Sequence, residues 1–351
     1  MLKNVHLELK IIMKHSNIYI FISFFFIISS FGQKNNQNVK NTDLTHYLKQ
    51  IEKENLITHV TTLAADEMEG RRTGETGQKK AAAYIRDFYE LQNISAAKGT
   101  SNYYQKVPSE FMQRPFSPTL SDSENVIAFI KGSEFPDQYI VLSAHYDHIG
   151  MANGEIYNGA DDNASGTTAV LEIARVFQKA VKEGKGPKRS VIFLHCTGEE
   201  YGLHGSRFYT QYPLYPLEQT IANLNVDMIG RIDDKHIGTG DYIYLVGADR
   251  LSKDLHNLSE ATNKKYTNLI LDYTYNDPND REMIYYRSDH YNFAKNNVPA
   301  IFYYNGTHAD YHKPTDTSDK IMYDAMLPRV QLIFATLWEL ANSNKPIKRN
   351  N

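Results

Sequence analysis

Cysteine is almost absent. Cys196 is the only one in 351 residues, so no disulfide can form within one chain, and its place in a strand-like run points to a buried, inert thiol. An excess of charge of one sign is also lacking: 38 Lys and Arg stand against 41 Asp and Glu, a formal net charge of −3. That balance offers no electrostatic ground for nucleic acid as a partner. The apolar stretch from Ile18 to Ile28 is shorter than the roughly 20 residues a membrane-spanning helix needs. There is no internal repeat and no long low-complexity tract.

What is present is ordinary for a globular chain, with 41% hydrophobic and 23% charged residues. The 25 tyrosines stand out, and tyrosine-rich strands or a tyrosine-lined cleft both account for them. Lys3, Lys10 and Lys14 precede the apolar stretch, and Ser30 and Gly32 place small residues before a cut after residue 32. Residues 1–32 therefore resemble a secretory signal peptide, with Met13 as an alternative start. Residues 33–42 are polar and suit a flexible linker. Cleavage would remove three Lys and one Glu, taking the formal charge from −3 to −5. The expectation is a secreted or periplasmic protein with no stable membrane anchor after cleavage. A single domain is expected over 43–342, followed by a tail at 343–351.

Periodicity sets the fold class. Gln78 to Ile94 carries Ala81, Ala82, Ile85, Phe88 and Leu91 at spacings of three and four, which predicts a helix with one buried face. Ala164 to Val181 repeats the pattern, and Met326, Val330, Ile333, Leu337 and Leu340 predict a closing helix. Between them lie apolar runs of strand length at Val126–Ile130, Tyr139–Ala144, Val191–Cys196, Ile221–Val226, Tyr242–Val246 and Ala300–Tyr304. Several are nearly continuous rather than alternating, as expected of strands covered on both faces. The predicted fold is an α/β three-layer sandwich, a mostly parallel mixed sheet with helices on both faces.

Ligands of open α/β sheets bind beyond the carboxyl ends of the strands, and the polar residues gather there. One run ends in His145-Tyr146-Asp147-His148, another in Asp227, a third in Glu199-Glu200, and a fourth leads through Gly306 to Tyr311-His312. A Gly-rich loop, Asn158 to Gly166, brings Asp161 and Asp162. Singly, each has a plain alternative: Asp161 and Asp162 as helix caps, Asp227 as a turn residue, a histidine as a hydrogen-bonded core group. Together, two histidines and three carboxylates supply the nitrogen and oxygen donors zinc takes, and a bridging carboxylate can serve two ions. Of the adjacent glutamates, one can hold a metal while the other takes a proton from water. Asp147, two residues past His145, is placed to accept the imidazole's second N–H.

The blocks Ser143-Ala-His-Tyr-Asp-His148, Asn158-Gly-Ala-Asp-Asp-Asn-Ala-Ser-Gly166, Gly198-Glu-Glu-Tyr-Gly-Leu-His-Gly-Ser206, Asn225-Val-Asp-Met-Ile-Gly230 and Tyr311-His-Lys-Pro-Thr-Asp-Thr317 resemble those of metallopeptidase family 28. That family contains bacterial di-zinc aminopeptidases, glutamate carboxypeptidase and glutaminyl cyclase, and the likeness runs from about residue 60 to 340. The resemblance implies two Zn2+ per chain, one held by His145 and Asp227, the other by Glu200 and His312, with Asp161 bridging. It implies Glu199 as general base and Tyr311 as a donor to the developing oxyanion. His148 and His308 match no ligand position. Glu69 to Gly77 resembles the family's segment before its first long helix, and Ser288-Asp-His290 precedes a short helix as in relatives, with Asp289 as a cap. The lid-like domain inserted in certain relatives has no room before His145, so loops such as Asp272 to Arg287 are expected to form the specificity wall.

The function so implied is a zinc-dependent aminopeptidase acting on peptide substrates. A carboxypeptidase or glutaminyl cyclase on the same scaffold stays open, and Arg231, Arg281 and Arg287 are the cations an acidic C-terminal substrate would call on. A catalytically dead binding protein is the remaining class. The oligomeric state is not legible.

Overall fold

Two neighbouring strands, β4 (Phe135–His145) and β7 (Arg189–Cys196), show how the framework arises. Successive side chains on a strand point to opposite faces. Ile140, Leu142, Ala144, Val191 and Phe193 therefore enter one core, while Val141, Ile192, Leu194 and Cys196 enter another. Both faces are apolar, so both must be covered. The computed structural model describes residues 44–115 and 119–350; the expected signal peptide at 1–32 and linker at 33–42 lie outside the described residues.

The main sheet has nine strands. Besides β4 and β7 it holds β1 (Ser95–Ala96), β2 (Tyr104–Val107), β3 (Ser123–Ile130), β8 (Thr220–Val226), β9 (Tyr242–Val246), β10 (Ile270–Asp272) and β11 (Ala300–Tyr304). Strands β5 (Gly150–Ala152) and β6 (Glu155–Tyr157) form a separate hairpin. In the main sheet the order is β1-β3-β7-β4-β8-β11-β9-β10, with β2 beside β3. The central four, β7-β4-β8-β11, run parallel, whereas β3 and β9 join them antiparallel. The sheet is thus mixed, with a parallel centre whose four carboxyl ends face the same side.

One face is covered by α1 (Lys53–Leu63), α2 (Thr76–Gln92), α3 (Gly166–Lys182) and α7 (Tyr323–Asn342). The shorter α4 (His204–Gln211) and α6 (His290–Ala294) cover the other, with Tyr209 and Phe293 reaching its core. Helix α5 (Lys253–Tyr266) packs beside α7. All six strands and the three helices expected from periodicity are present, within a few residues of their expected ends.

The tail expected after residue 342 is held along α5. Ser252 Oγ donates to the Lys348 carbonyl at 2.5 Å and the Lys348 amide donates to Asp254 at 2.9 Å. The helix expected from Ala164 begins at Gly166, after a wide turn over Ala160–Ser165 that leaves helical geometry at Asp162 and Asn163. Gly166 is obligatory there. A Cβ would stand 2.3 Å from Asn163 Oδ1 and 2.4 Å from the Val226 carbonyl, so only glycine lets the turn lie against the end of β8.

Candidate active site

Beyond the carboxyl ends of the parallel strands, five side chains converge around one carboxylate. His145 closes β4; its Nε2 lies 3.2 Å from Asp227 Oδ1, just past β8, and 3.3 Å from Asp162 Oδ1. The other Asp162 oxygen, Oδ2, is 3.0 Å from His312 Nε2, which is itself 3.1 Å from Glu200 Oε2. His148 Nδ1 sits 2.7 Å from Glu200 Oε1 and 3.7 Å from Asp162 Oδ2. Asp162 thus presents one oxygen to each half of the cluster. His145, His148, Asp162 and Asp227 are buried. The loop carrying His312 leaves that imidazole 37% exposed, with a left-handed φ of 54°.

Of the expected ligands, His145, Glu200, Asp227 and His312 come together, and Asp161 does not. Its carboxylate turns the other way, accepting the Gly230 amide at 2.6 Å and facing His308 Nε2 at 3.2 Å. The cause is the wide turn: Asp162, at φ −104° and ψ 94°, swings its side chain toward the strand ends while its neighbour's points back. Asp316 holds this arrangement, accepting the amides of Asp161 and Asp162 at 3.0 and 3.1 Å. His148, which matched no ligand position, belongs to the cluster.

Asp147 also differs from expectation. The group facing His145 Nδ1 is the Asp147 backbone carbonyl, at 3.1 Å, while its carboxylate stays 3.9 Å away. The carboxylate is engaged elsewhere, taking the Thr73 hydroxyl at 2.7 Å and the Glu199 amide at 3.1 Å. Burial lifts the Asp147 carboxyl to about 6, against the pull of His145. It therefore anchors the backbone of the glutamate pair.

Glu199 follows the Gly198 turn after β7 and reaches within 4.0 Å of His145 Nε2. Burial raises its carboxyl well above the usual range, with Asp227 and Glu200 adding to the effect. Ser288 donates to Asp227 Oδ2 at 2.6 Å and receives the Asn225 amide at 2.8 Å, leaving Oδ1 to face His145. Asp289, expected as a helix cap, is instead buried against the Ser206 hydroxyl, and its carboxyl is lifted to about 6 by burial.

Below the cluster, Arg71 is a fully buried cation. Its guanidinium donates to the carbonyls of Leu63, Tyr146, Asn158 and Gly159 at 2.6 to 2.8 Å, tying α1 to the loops that carry His148 and Asp162. Burial lowers its pKa to about 10, so it stays charged at neutral pH.

A cleft enclosing about 370 Å³, part of it open to solvent, opens onto these groups. Asp162, Glu199 and Asp227 line its floor, with Met228, Ile284, Phe302, Tyr304, Tyr311 and Arg287 on its walls. The Asp272 to Arg287 loop contributes Ile284 and Arg287 to this wall. Its Tyr275 and Tyr285 are buried in the apolar cluster that includes Ile284, Phe302 and Tyr304 without lining the cleft, and Tyr273 donates outward to Glu260. Tyr311 stacks on His312, ring centroids 3.8 Å apart. Burial and the nearby carboxylates raise its hydroxyl pKa, so it keeps its proton.

The donor set fits divalent metal. Four carboxylates, Asp162, Glu199, Glu200 and Asp227, lie together with three imidazoles at the strand ends, and buried charges of one sign need cations to compensate them. Asp162 with His145 and Asp227 forms one group able to hold an ion, and Asp162 with His148 and Glu200 forms a second. Nitrogen and oxygen donors in this mixture suit zinc.

Comparison with known proteins points the same way. The profile of peptidase family M28 matches residues 125–337. Over 111 residues, 31% of this chain, the sequence is 40% identical to the aminopeptidase NAALADL1 of Mus musculus, of which it covers only 14%. The structure is similar to the Legionella pneumophila LapA aminopeptidase, with a TM-score of 0.67 at 21% identity, covering 87% of this chain and 75% of that one. It is also similar to a zinc aminopeptidase from Bacillus subtilis, with a TM-score of 0.65 at 16% identity, covering 85% of this chain and 98% of that one. At such identities the two structures bear on the fold alone.

Proposed function

The chain belongs to peptidase family M28, and on that premise we propose that it is a zinc-dependent aminopeptidase that hydrolyses the first residue from peptides, with two zinc ions per chain. The observation that carries the reading is the position of Asp162, whose two oxygens face His145 and His312 from opposite sides. A carboxylate so placed would be able to serve two ions at once. On this reading one ion would be held by His145, Asp162 and Asp227, and the other by Asp162 and Glu200 with His312, whose Nε2 lies 3.0 and 3.1 Å from those two carboxylates, in place of His148, which stays against Glu200. Bound zinc supplies Lewis acidity, which polarises a carbonyl and acidifies water.

The remaining chemistry falls to the chain. Glu199 is the general base: its carboxylate takes a proton from the attacking water and returns it to the leaving amine. Asp147 and Thr73 fix the backbone that aims it. Tyr311, on the cleft wall and protonated, donates to the oxygen on which negative charge develops. The walls made by Met228, Ile284, Phe302 and Tyr304 exclude water from one side of the scissile bond and take up a substrate side chain. We further propose export, on the character of residues 1–32 and the single cysteine.

Purified protein incubated with unblocked peptides should release free amino acids from the amino end, lose this activity to a chelator and regain it with zinc. N-acetylated peptides should be left whole. Activity that survives exhaustive chelation, or equal cleavage of blocked peptides, would overturn the proposal. The carboxypeptidase reading draws on fewer cations than the chain offers: Arg231 is bound to Asp310 at 2.9 Å, and of the three arginines considered only Arg287 lines the cleft.

A further inference from the structure

Arg287 is the only cation on the cleft wall, and no carboxylate pairs with it among the described residues. Arg72, Arg86, Arg175 and Arg231 each pair with an acid, while Arg71 and Arg329 are saturated by backbone carbonyls. Arg287 is exposed at the cleft, yet its backbone is well fixed. Its amide donates to the Ile284 carbonyl at 3.0 Å, and the next residue, Ser288, is tied to Asp227 at 2.6 Å. The guanidinium stem therefore starts from a rigid point one residue from a group that faces the reacting centre.

A free guanidinium offers a planar fork of donors matched to a carboxylate, and such charge-assisted pairs are the stronger hydrogen bonds. The acids on the cleft floor are directed at His145 and His312 rather than at Arg287. The wall beside it, Ile284, Phe302 and Tyr304, is apolar or aromatic and accommodates the methylenes of an acidic side chain. Arg287 also lies close enough to bear on the buried Tyr304 hydroxyl.

We infer that Arg287 binds a carboxylate on the substrate close to the scissile bond, so that the preferred substrates are peptides that carry one there. This rests on the aminopeptidase reading for the direction of cleavage, and adds the substrate class. Two sources share the chemistry: the side chain of an N-terminal Asp or Glu, and the terminal carboxylate of a dipeptide.

The test uses the zinc-loaded Glu199→Gln protein, in which binding is read without turnover, and titrates matched peptides by calorimetry. Glu-Ala-Ala-amide against Gln-Ala-Ala-amide tests the side chain; Leu-Ala against Leu-Ala-amide tests the terminal carboxylate. The expected result is tighter binding of the charged member in one of the two pairs, by about tenfold or more. Adding Arg287→Gln should bring that ratio to about one. Equal affinity within both pairs, or a preference that survives Arg287→Gln, would overturn the inference. Hydrolysis of the neutral Leu-Ala-Ala-amide by the unsubstituted protein reads the aminopeptidase proposal separately, so the two fail independently.

Discussion

Asp161 and Asp162 share a peptide bond, yet their carboxylates serve opposite sides of one turn. Asp162 faces His145 and His312, at 3.3 and 3.0 Å, while Asp161 accepts the Gly230 amide at 2.6 Å. Two consequences separate by experiment. Asp162→Asn should bind less than one zinc per chain and lose nearly all activity, because on the proposed reading one carboxylate would serve both ions. Asp161→Asn should keep its zinc and lose stability instead, by about 1 to 3 kcal/mol, since a charged acceptor of a buried amide is weakened. Metal content by mass spectrometry and urea unfolding distinguish them.

In the proposed function Glu199 would act on protons and is left out of the ligand sets. Glu199→Gln should therefore retain the full metal complement while kcat falls by roughly two to four powers of ten. KM should change little. A variant that loses zinc in step with activity would assign Glu199 to metal binding.

Arg71 holds four backbone carbonyls in the interior beneath the cleft. Arg71→Met keeps much of the volume and strands those acceptors, so unfolding stability should drop by about 3 to 5 kcal/mol. Because two of the carbonyls belong to Asn158 and Gly159, just ahead of Asp162, zinc affinity should fall as well. Chelator competition measures that loss.

His59 and His195 are buried neutral. Burial lowers His195 to about 3, and burial reinforced by Arg175 lowers His59 to about 4. Each folded value lies below the unfolded one of about 6.5, so below pH 6.5 the unfolded chain binds the extra protons. Their contribution is whole above about pH 6.5 and is lost as pH falls toward 4 and then 3. Each adds a slope of up to about 1.4 kcal/mol per pH unit in that window. His59→Gln should flatten the slope between about pH 4 and 6.5 relative to the parent in urea melts. An unchanged slope would contradict the assignment.

Much of the fold was legible because the central strands and the long helices each bury a periodic face, and periodicity survives without coordinates. Ile140, Leu142 and Ala144 alternate with Val141 as a doubly covered strand requires. The cluster was legible too, since strand ends gather at one edge of a parallel sheet. Choosing between Asp161 and Asp162 was not. The choice turns on two backbone dihedrals in a turn that leaves helical geometry, and adjacent aspartates in a Gly-rich loop carry no periodic signal. His148 matches no ligand position in the sequence for a related reason: it stands three residues past His145, on a chain that has already left β4, and only the loop path pinned by Arg71 brings it to Glu200. Likewise Asp147 was matched to His145 by spacing, whereas Thr73, 74 residues earlier, claims its carboxylate.

The central claim is that Asp162 stands between two zinc ions, and anomalous diffraction at the zinc edge from crystals of the zinc-loaded protein tests it most directly. The account predicts two peaks flanking the Asp162 carboxylate, one beside His145 and Asp227 and the other beside His312 and Glu200. A single peak, or a pair bridged by Asp161, would contradict it.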